Sequence, residues 1–177
     1  MTTSTEIRGI AYQMVKEVFP HLEGIVGAEL AAHFENVDGE AWYEAGPYLK
    51  TIRYLIGHIS PQVMVLIGNQ RIEVFKANIF RRGISTTREL AESLPELTKE
   101  VMRGEEAGRW LAEEYAPGRA VIRETGLTAN TDFGSGVIKA ALELVGAYNV
   151  RVTVIDDRAA GAEANRYLAE WIEPEAA

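Results

Sequence analysis

TDFGSGVIKAALELVGAYNVRVTVID, residues 131–156, is the stretch from which the fold is read. Within it Val137, Ala140, Ala141, Leu144 and Val145 recur at three- and four-residue spacing. That spacing lines one face of a helix, placed here from Phe133 to Val145. Thr131 or Asp132 is positioned to cap its start, and Gly146 to close it. From Asn149 the period drops to two. Val150, Val152 and Val154 fall on one side; Arg151, Thr153 and Ile155 fall on the other. Such alternation marks a strand with one wet face.

The neighbouring stretches extend this unit. Residues 165–172, NRYLAEWI, read as a last strand with Tyr167 and Trp171 on one face. Upstream, Trp110 to Tyr115 and Ala120 to Glu124 read as two strands joined by a turn at Pro117-Gly118. The order strand–strand–helix–strand–strand predicts one antiparallel sheet with a helix across one face.

The N-terminal part reads as helical. Residues 7–19 open as a strand and turn into a helix, and residues 25–36 place Ile25, Ala28, Leu30 and Phe34 on one helical face. Pro47 starts a helix over 47–57 with Tyr48, Leu49, Ile52, Leu55 and Ile56 as its stripe. Ser60-Pro61 starts the next, which is expected to bury Val63, Leu66, Ile67 and Phe75. Gly68 in its middle predicts close packing against another element. A capping box at Thr86 and Glu89 opens a helix to about 104, kinked or split at Pro95 and ended by Gly104. The fold class expected is therefore α+β: one domain over 1–177, helical over about 1–105, with the sheet part over about 106–173.

Composition narrows the function classes. Of the 177 residues, 47% are hydrophobic and 25% charged, so the chain can bury a core and is neither a disordered nor a membrane sequence. No apolar run is long enough for a membrane span, and the polar start carries no secretory signal, so a cytoplasmic, bacterial protein is expected. A formal net charge of −8 argues against nucleic acid as partner. The absence of cysteine removes disulfides, thiolate metal sites and cysteine nucleophiles.

The C-terminal residues also carry a resemblance. GRAVIRETG, the 131–156 stretch and AEANRYLAEW resemble the C-terminal unit of the 4-vinyl-reductase-type, haem–nitric-oxide-binding and TRAPP-like superfamily. The matching positions are Phe133, Gly134, Gly136, Gly146, Val150, Val152, Val154, Tyr167 and Trp171. WYEAGPYLKTIRYL also looks like the helix start of a related bacterial family. The resemblance implies an α+β ligand-binding fold, commonly homodimeric, that senses a small hydrophobic or aromatic molecule or mediates assembly. The haem-binding branch uses a proximal histidine and a tyrosine–serine–arginine propionate clamp. No such clamp is found here, so no cofactor is expected.

The remaining motifs are weak. Serine-hydrolase, P-loop, zincin and dinucleotide signatures are absent. Glu29 and His33 share a helical face but supply only two of the ligands a metal needs. The carboxylate pairs Glu105-Glu106, Glu113-Glu114 and Asp156-Asp157 read as solvated charge, and Arg81, Arg82, Lys76 and Arg71 as a small basic patch. The FGSG segment at 133–136 could bind an anion at a helix start. Close helix packing is favoured there, because no lysine or arginine follows closely.

The aromatic set stands out. Trp42, Tyr43, Tyr54, His58, Met64, Phe75 and Phe80 are the candidate ligand-binding residues, since such rings commonly line pockets. No metal or catalytic residue is assigned. The expected function is a non-catalytic small-molecule-binding or sensory domain. The alternatives are a dimerisation or docking module, or an enzyme using His58 with Arg53 or Tyr54.

Overall fold

The alternation read in 165–172 becomes the centre of a sheet. The computed structural model describes residues 4–104, 107–126 and 130–173. Strands β4 (Arg109–Ala116), β5 (Arg119–Thr125), β6 (Tyr148–Asp156) and β7 (Asn165–Ile172) pair antiparallel in the order β4-β5-β7-β6. In β7, Asn165, Tyr167, Ala169 and Trp171 are buried while the residues between them face outward. A central strand with one covered face produces that pattern. Glu105, Glu106, the tail beyond Glu173 and the side chain of Arg71 lie outside the described residues.

Helix α7 (Thr131–Leu144) covers the inner face of the sheet. Its cap is Asn130, one residue earlier than expected, whose Oδ1 accepts the Phe133 N–H at 2.7 Å. The glycines of the FGSG segment explain how closely it packs. A methyl group at Gly134 would overlap the Tyr167 hydroxyl and come within 3.2 Å of Glu124 Oε2. A methyl group at Gly136 would overlap the carbonyl of Val65, on a helix rather than on the sheet.

That helix is α5 (Pro61–Arg81), capped by Ser60 with Pro61 in its first turn. Its buried residues include Met64, Ile67, Ile72 and Ile79. Val63 and Leu66, expected inside, are 38% and 60% exposed. The rotation is set by Gly68, which meets the backbone of Phe133 and Gly136 and turns its own face of α5 toward α7. Helix α6 (Thr87–Lys99) begins with the expected capping box. It runs through Pro95 unbroken, and Thr98 Oγ1 donates to the Leu94 carbonyl at 2.8 Å. Gly104 does not end it; with φ of 113° it sits against the backbone of Ser4 and Thr5.

Glu173 ties this helix to the sheet. Its carboxylate accepts from Thr87 Oγ1 at 2.8 Å and from the Gly118 N–H at 3.1 Å. Burial works against the charged form, but the hydrogen bonds outweigh it and hold the carboxyl below its ordinary pKa.

The N-terminal part holds a second sheet, of which only the strand that opens residues 7–19 was expected. β1 (Glu6–Arg8), β2 (Trp42–Glu44) and β3 (Met102–Arg103) pair antiparallel in the order β2-β1-β3. Around it lie α1 (Gly9–Val18), α2 (Leu22–Val26), α3 (Ala28–Ala31) and α4 (Ala45–Ile56). The single helix expected over 25–36 is broken at Gly27, whose φ is 87°. The core here gathers on Tyr12. Its hydroxyl donates to the Glu44 carbonyl at 2.6 Å and accepts the Tyr48 N–H at 3.2 Å, and burial pushes its pKa up to about 12. Among the described residues, no helix is long and apolar enough to cross a membrane.

Candidate functional site

Three helical stripes meet over the sheet without filling the space between them. From α5 come Ile72, Phe75 and Ile79; from α6, Leu90, Leu94 and Leu97; from α7, Phe133, Val137 and Ala141. Each set follows three- or four-residue steps, so each is the buried stripe of its own helix. They border a chamber of about 70 Å³. Tyr48, Val101 and Met102 close one end, and Trp110 and Glu124 form the floor. A smaller cavity of about 30 Å³ adjoins it, sharing Leu90, Leu94, Trp110, Val137 and Ala141 and reaching Ile122 and Trp171. The chamber is smaller than the roughly 300 Å³ or more that a drug-sized ligand needs.

The floor carries the chemistry. Trp110 and Glu124 face each other directly across the β4–β5 ladder. Glu124 is only 3% exposed. Its Oε2 accepts from the Tyr167 hydroxyl at 2.6 Å and from Asn165 Nδ2 at 3.0 Å. Asn165 is held in turn, its Oδ1 accepting the Arg158 N–H at 2.9 Å. The Tyr167 ring lies parallel to Trp110, centroids 6.0 Å apart. Burial first, and then the charge of Glu124, push the Tyr167 pKa well above the ordinary phenol range. Tyr167 therefore stays a donor.

Of the aromatic set chosen from the sequence, Phe75 is on the chamber wall. Met64 is buried beside it, in a cluster with Ile67, Phe133 and Val137. Trp42 and Tyr43 belong to β2, where the Arg103 guanidinium lies 4.2 Å from the Trp42 ring and Tyr43 packs on Tyr12. Tyr54 and His58 stack on each other, ring centroids 4.0 Å apart, and both are exposed, as is Arg53. Phe80 is exposed at the far end of α5. The structure therefore does not bring these residues to one place.

Glu124 was not singled out from the sequence, although a signal existed. It shares parity with Ala120 and Ile122 on a strand whose even positions face inward. Of the carboxylate pairs read as solvated charge, two do lie outside, with Glu113 and Asp156 pairing with Arg166 at 2.8 and 2.9 Å on the outer face; Glu105-Glu106 lies outside the described residues. Arg81 and Arg82 both reach Glu100. Among the described residues, no group of three or more histidines and carboxylates could hold a metal ion.

No protein-family model and no curated protein matches the sequence. Solved structures do match. An H-NOX protein from S. oneidensis, in the Fe(II) ligation state, aligns with TM-score 0.69 at 9% identity over 96% of this chain and 98% of its own. An unliganded Fe(II) H-NOX protein from K. algicida aligns at 0.66 and 12% identity, over 97% and 100%. An oxygen-binding H-NOX domain related to soluble guanylate cyclases, in its oxygen complex, aligns at 0.64 and 12% identity, over 96% and 95%.

The S. oneidensis protein is also described in an Fe(II)NO state. The expectation of a small hydrophobic or aromatic partner is thereby corrected, because the proteins sharing this architecture are described with iron, NO and oxygen. The resemblance to haem–nitric-oxide-binding domains is supported at the level of fold; its 4-vinyl-reductase and TRAPP parts gain nothing from these structures. Nearly full-length alignment on both sides means that helices and sheets alike are shared: the chain has the H-NOX fold.

Proposed function

We propose that this domain is a non-catalytic sensory module that reports the occupancy of its interior chamber, and that it does so without haem. The observation that carries the reading is the space left between α5, α6, α7 and the sheet, with Glu124 on its wall. A haem needs an axial donor to iron, usually imidazole or thiolate, and room for a macrocycle with two anionic propionates. No histidine lies on the wall; His21, His33 and His58 are exposed elsewhere. The Met102 sulfur already accepts the Gly108 N–H at 3.4 Å. Among the described residues, the wall carries no lysine or arginine for the propionates. These residues do not fit haem.

Catalysis is disfavoured on similar grounds. General acid–base work needs titratable groups in mutual reach, and among the described residues Glu124 shares the wall with no histidine, lysine or second carboxylate. Sensing needs less. One face of α6 borders the chamber, while Arg88, Glu89, Glu92, Glu96 and Lys99 of the same helix face solvent. A guest that binds better to one position of α6 shifts the helix toward it.

A side chain built into the space imitates a guest. Ala141→Leu projects from α7 into the chamber, so it is expected to slow amide hydrogen exchange across 87–99 and leave the melting temperature unchanged or raised. In a filled interior the same substitution costs about 1–3 kcal/mol. That loss, seen in urea unfolding, would remove the proposal.

A further inference from the structure

Helix α5 is patterned on two faces. Its inner face borders the chamber with Ile72, Phe75 and Ile79 and meets α7 at Gly68. Its outer face carries Val63, Leu66, Gln70, Glu73, Ala77 and Phe80, all of them exposed. These positions advance by three and four residues in strict alternation, which keeps them on one straight stripe over about five turns. Leu66 is 60% and Phe80 56% exposed. A lone exposed leucine or phenylalanine needs no explanation. Here the apolar residues are aligned on the face turned away from the core, at both ends of the stripe, with polar residues only in its middle.

We propose that two copies of this chain pair antiparallel through this stripe. The order of the residues carries the inference, because the stripe is complementary to its own reverse. About a two-fold axis passing between residues 71 and 72, Val63 meets the partner's Phe80, Leu66 meets the partner's Ala77, and Gln70 meets the partner's Glu73. Each apolar step sets a larger side chain against a smaller one. At the axis the Gln70 amide is a donor suited to a carboxylate. A two-fold interface requires this reciprocity: if residue i contacts j, then j contacts i. A parallel pair would instead set each residue against itself, Phe80 on Phe80 and Glu73 on Glu73, with like charges opposed. In the antiparallel register the two Glu73 carboxylates are offset along the axis. Each also keeps Lys76 of its own chain, whose Nζ lies 3.3 Å from Oε1. The antiparallel arrangement further sets each helix start beside the partner helix's end, where the dipoles attract. An unrelated partner would have no reason to match the reverse of this stripe. A seam centred on one helix roughly 30 Å long makes a small interface, with dissociation on the order of micromolar.

Sedimentation velocity of the full chain, from about 5 to about 500 μM, brackets that range. The mean mass is expected to rise toward twice that of the chain. Leu66→Lys changes a side chain outside the core, so the melting temperature is expected to stay the same while self-association weakens at least about tenfold. The register is read separately. The chain has no cysteine, so introduced thiols are the only ones present. Leu66→Cys combined with Ala77→Cys is expected to give a covalent dimer in a glutathione buffer. Within one helix those positions are about 16 Å apart, too far for a disulfide, so a bridge joins two chains. Leu66→Cys alone is expected to give no covalent dimer, because the two copies of position 66 lie at opposite ends of the seam. A monomer at every concentration would overturn the proposal. So would a doubled mass indifferent to Leu66→Lys, or a covalent dimer formed as fully by Leu66→Cys alone. The sedimentation of the natural chain needs no variant, so it decides the matter even where a variant folds poorly.

Discussion

Gly136→Ala is expected to destabilise the protein by about 3 kcal/mol or more, the upper end of overpacking costs, because the obstacle is backbone. A methyl group there would overlap the Val65 carbonyl and come within 3.0 Å of the Asn69 nitrogen. Neither atom can swing aside as a flexible side chain would. Gly68 is the other half of the same contact, its own methyl position overlapping the Phe133 carbonyl and lying 3.1 Å from the Gly136 Cα. Once α5 and α7 are pushed apart by one substitution, the second has less to disrupt. The double variant should therefore lose less than the sum of the single ones. Gly24 is the control: it is helical and has nothing near its methyl position. Gly24→Ala should be neutral or stabilising by up to about 1 kcal/mol. Urea midpoints of the four variants check the set, and a Gly136→Ala protein as stable as Gly24→Ala would contradict the close approach of the two helices.

Glu124→Leu is expected to cost about 2–4 kcal/mol. Two opposing effects decide the size. Removing a buried charge is favourable in itself. Leaving the Tyr167 hydroxyl and Asn165 Nδ2 buried without their acceptor costs about 1–3 kcal/mol each, and the second effect wins. Tyr167 is 0% and Asn165 1% exposed, so water cannot take the place of Glu124. The sign of the coupling tests this more sharply than the magnitude. Adding Tyr167→Phe to Glu124→Leu removes one of the stranded donors, and the double variant should be more stable than Glu124→Leu alone. Chemical denaturation of the two single variants and the double one measures that coupling. A double variant that loses the sum of the two single losses would mean that Tyr167 and Glu124 act independently.

Most of the larger sheet was legible because its signals are local. The change of period between Leu144 and Val150 separates α7 from β6, Pro117-Gly118 marks the β4–β5 turn, and the alternation from Asn165 to Ile172 gives the face of β7. The capping box of α6 was equally visible. What escaped was decided at a distance. β2 and β3 are too short to show a period of two, and each finds its partner, the strand β1 that opens the chain's first helix, far along the chain. In α5 the unbroken run from Val63 to Ile67 offers several apolar faces, and Gly68 against α7 chooses among them.

The chamber was the least legible part. Aromatic residues drew the reading toward Trp42 and Tyr43, which the fold places in the small sheet with Tyr12 and the arginines. Phe75 was found because it is aromatic; Leu90, Leu94, Ile79 and Ala141 look like any core stripe until three such stripes are seen to face one another. Glu124 was read only as the end of a strand, although parity with Ala120 and Ile122 pointed it inward. Apolar walls carry no chemical label in a sequence, and a buried carboxylate becomes conspicuous only when its surroundings are known.

Whether the chamber of this H-NOX fold takes haem is decided by the absorption spectrum of the purified full chain. With haem supplied during expression and again after purification, the spectrum is predicted to show no Soret band beyond that of free or loosely associated haem. A sharp Soret band at one haem per chain, surviving gel filtration, would contradict the account.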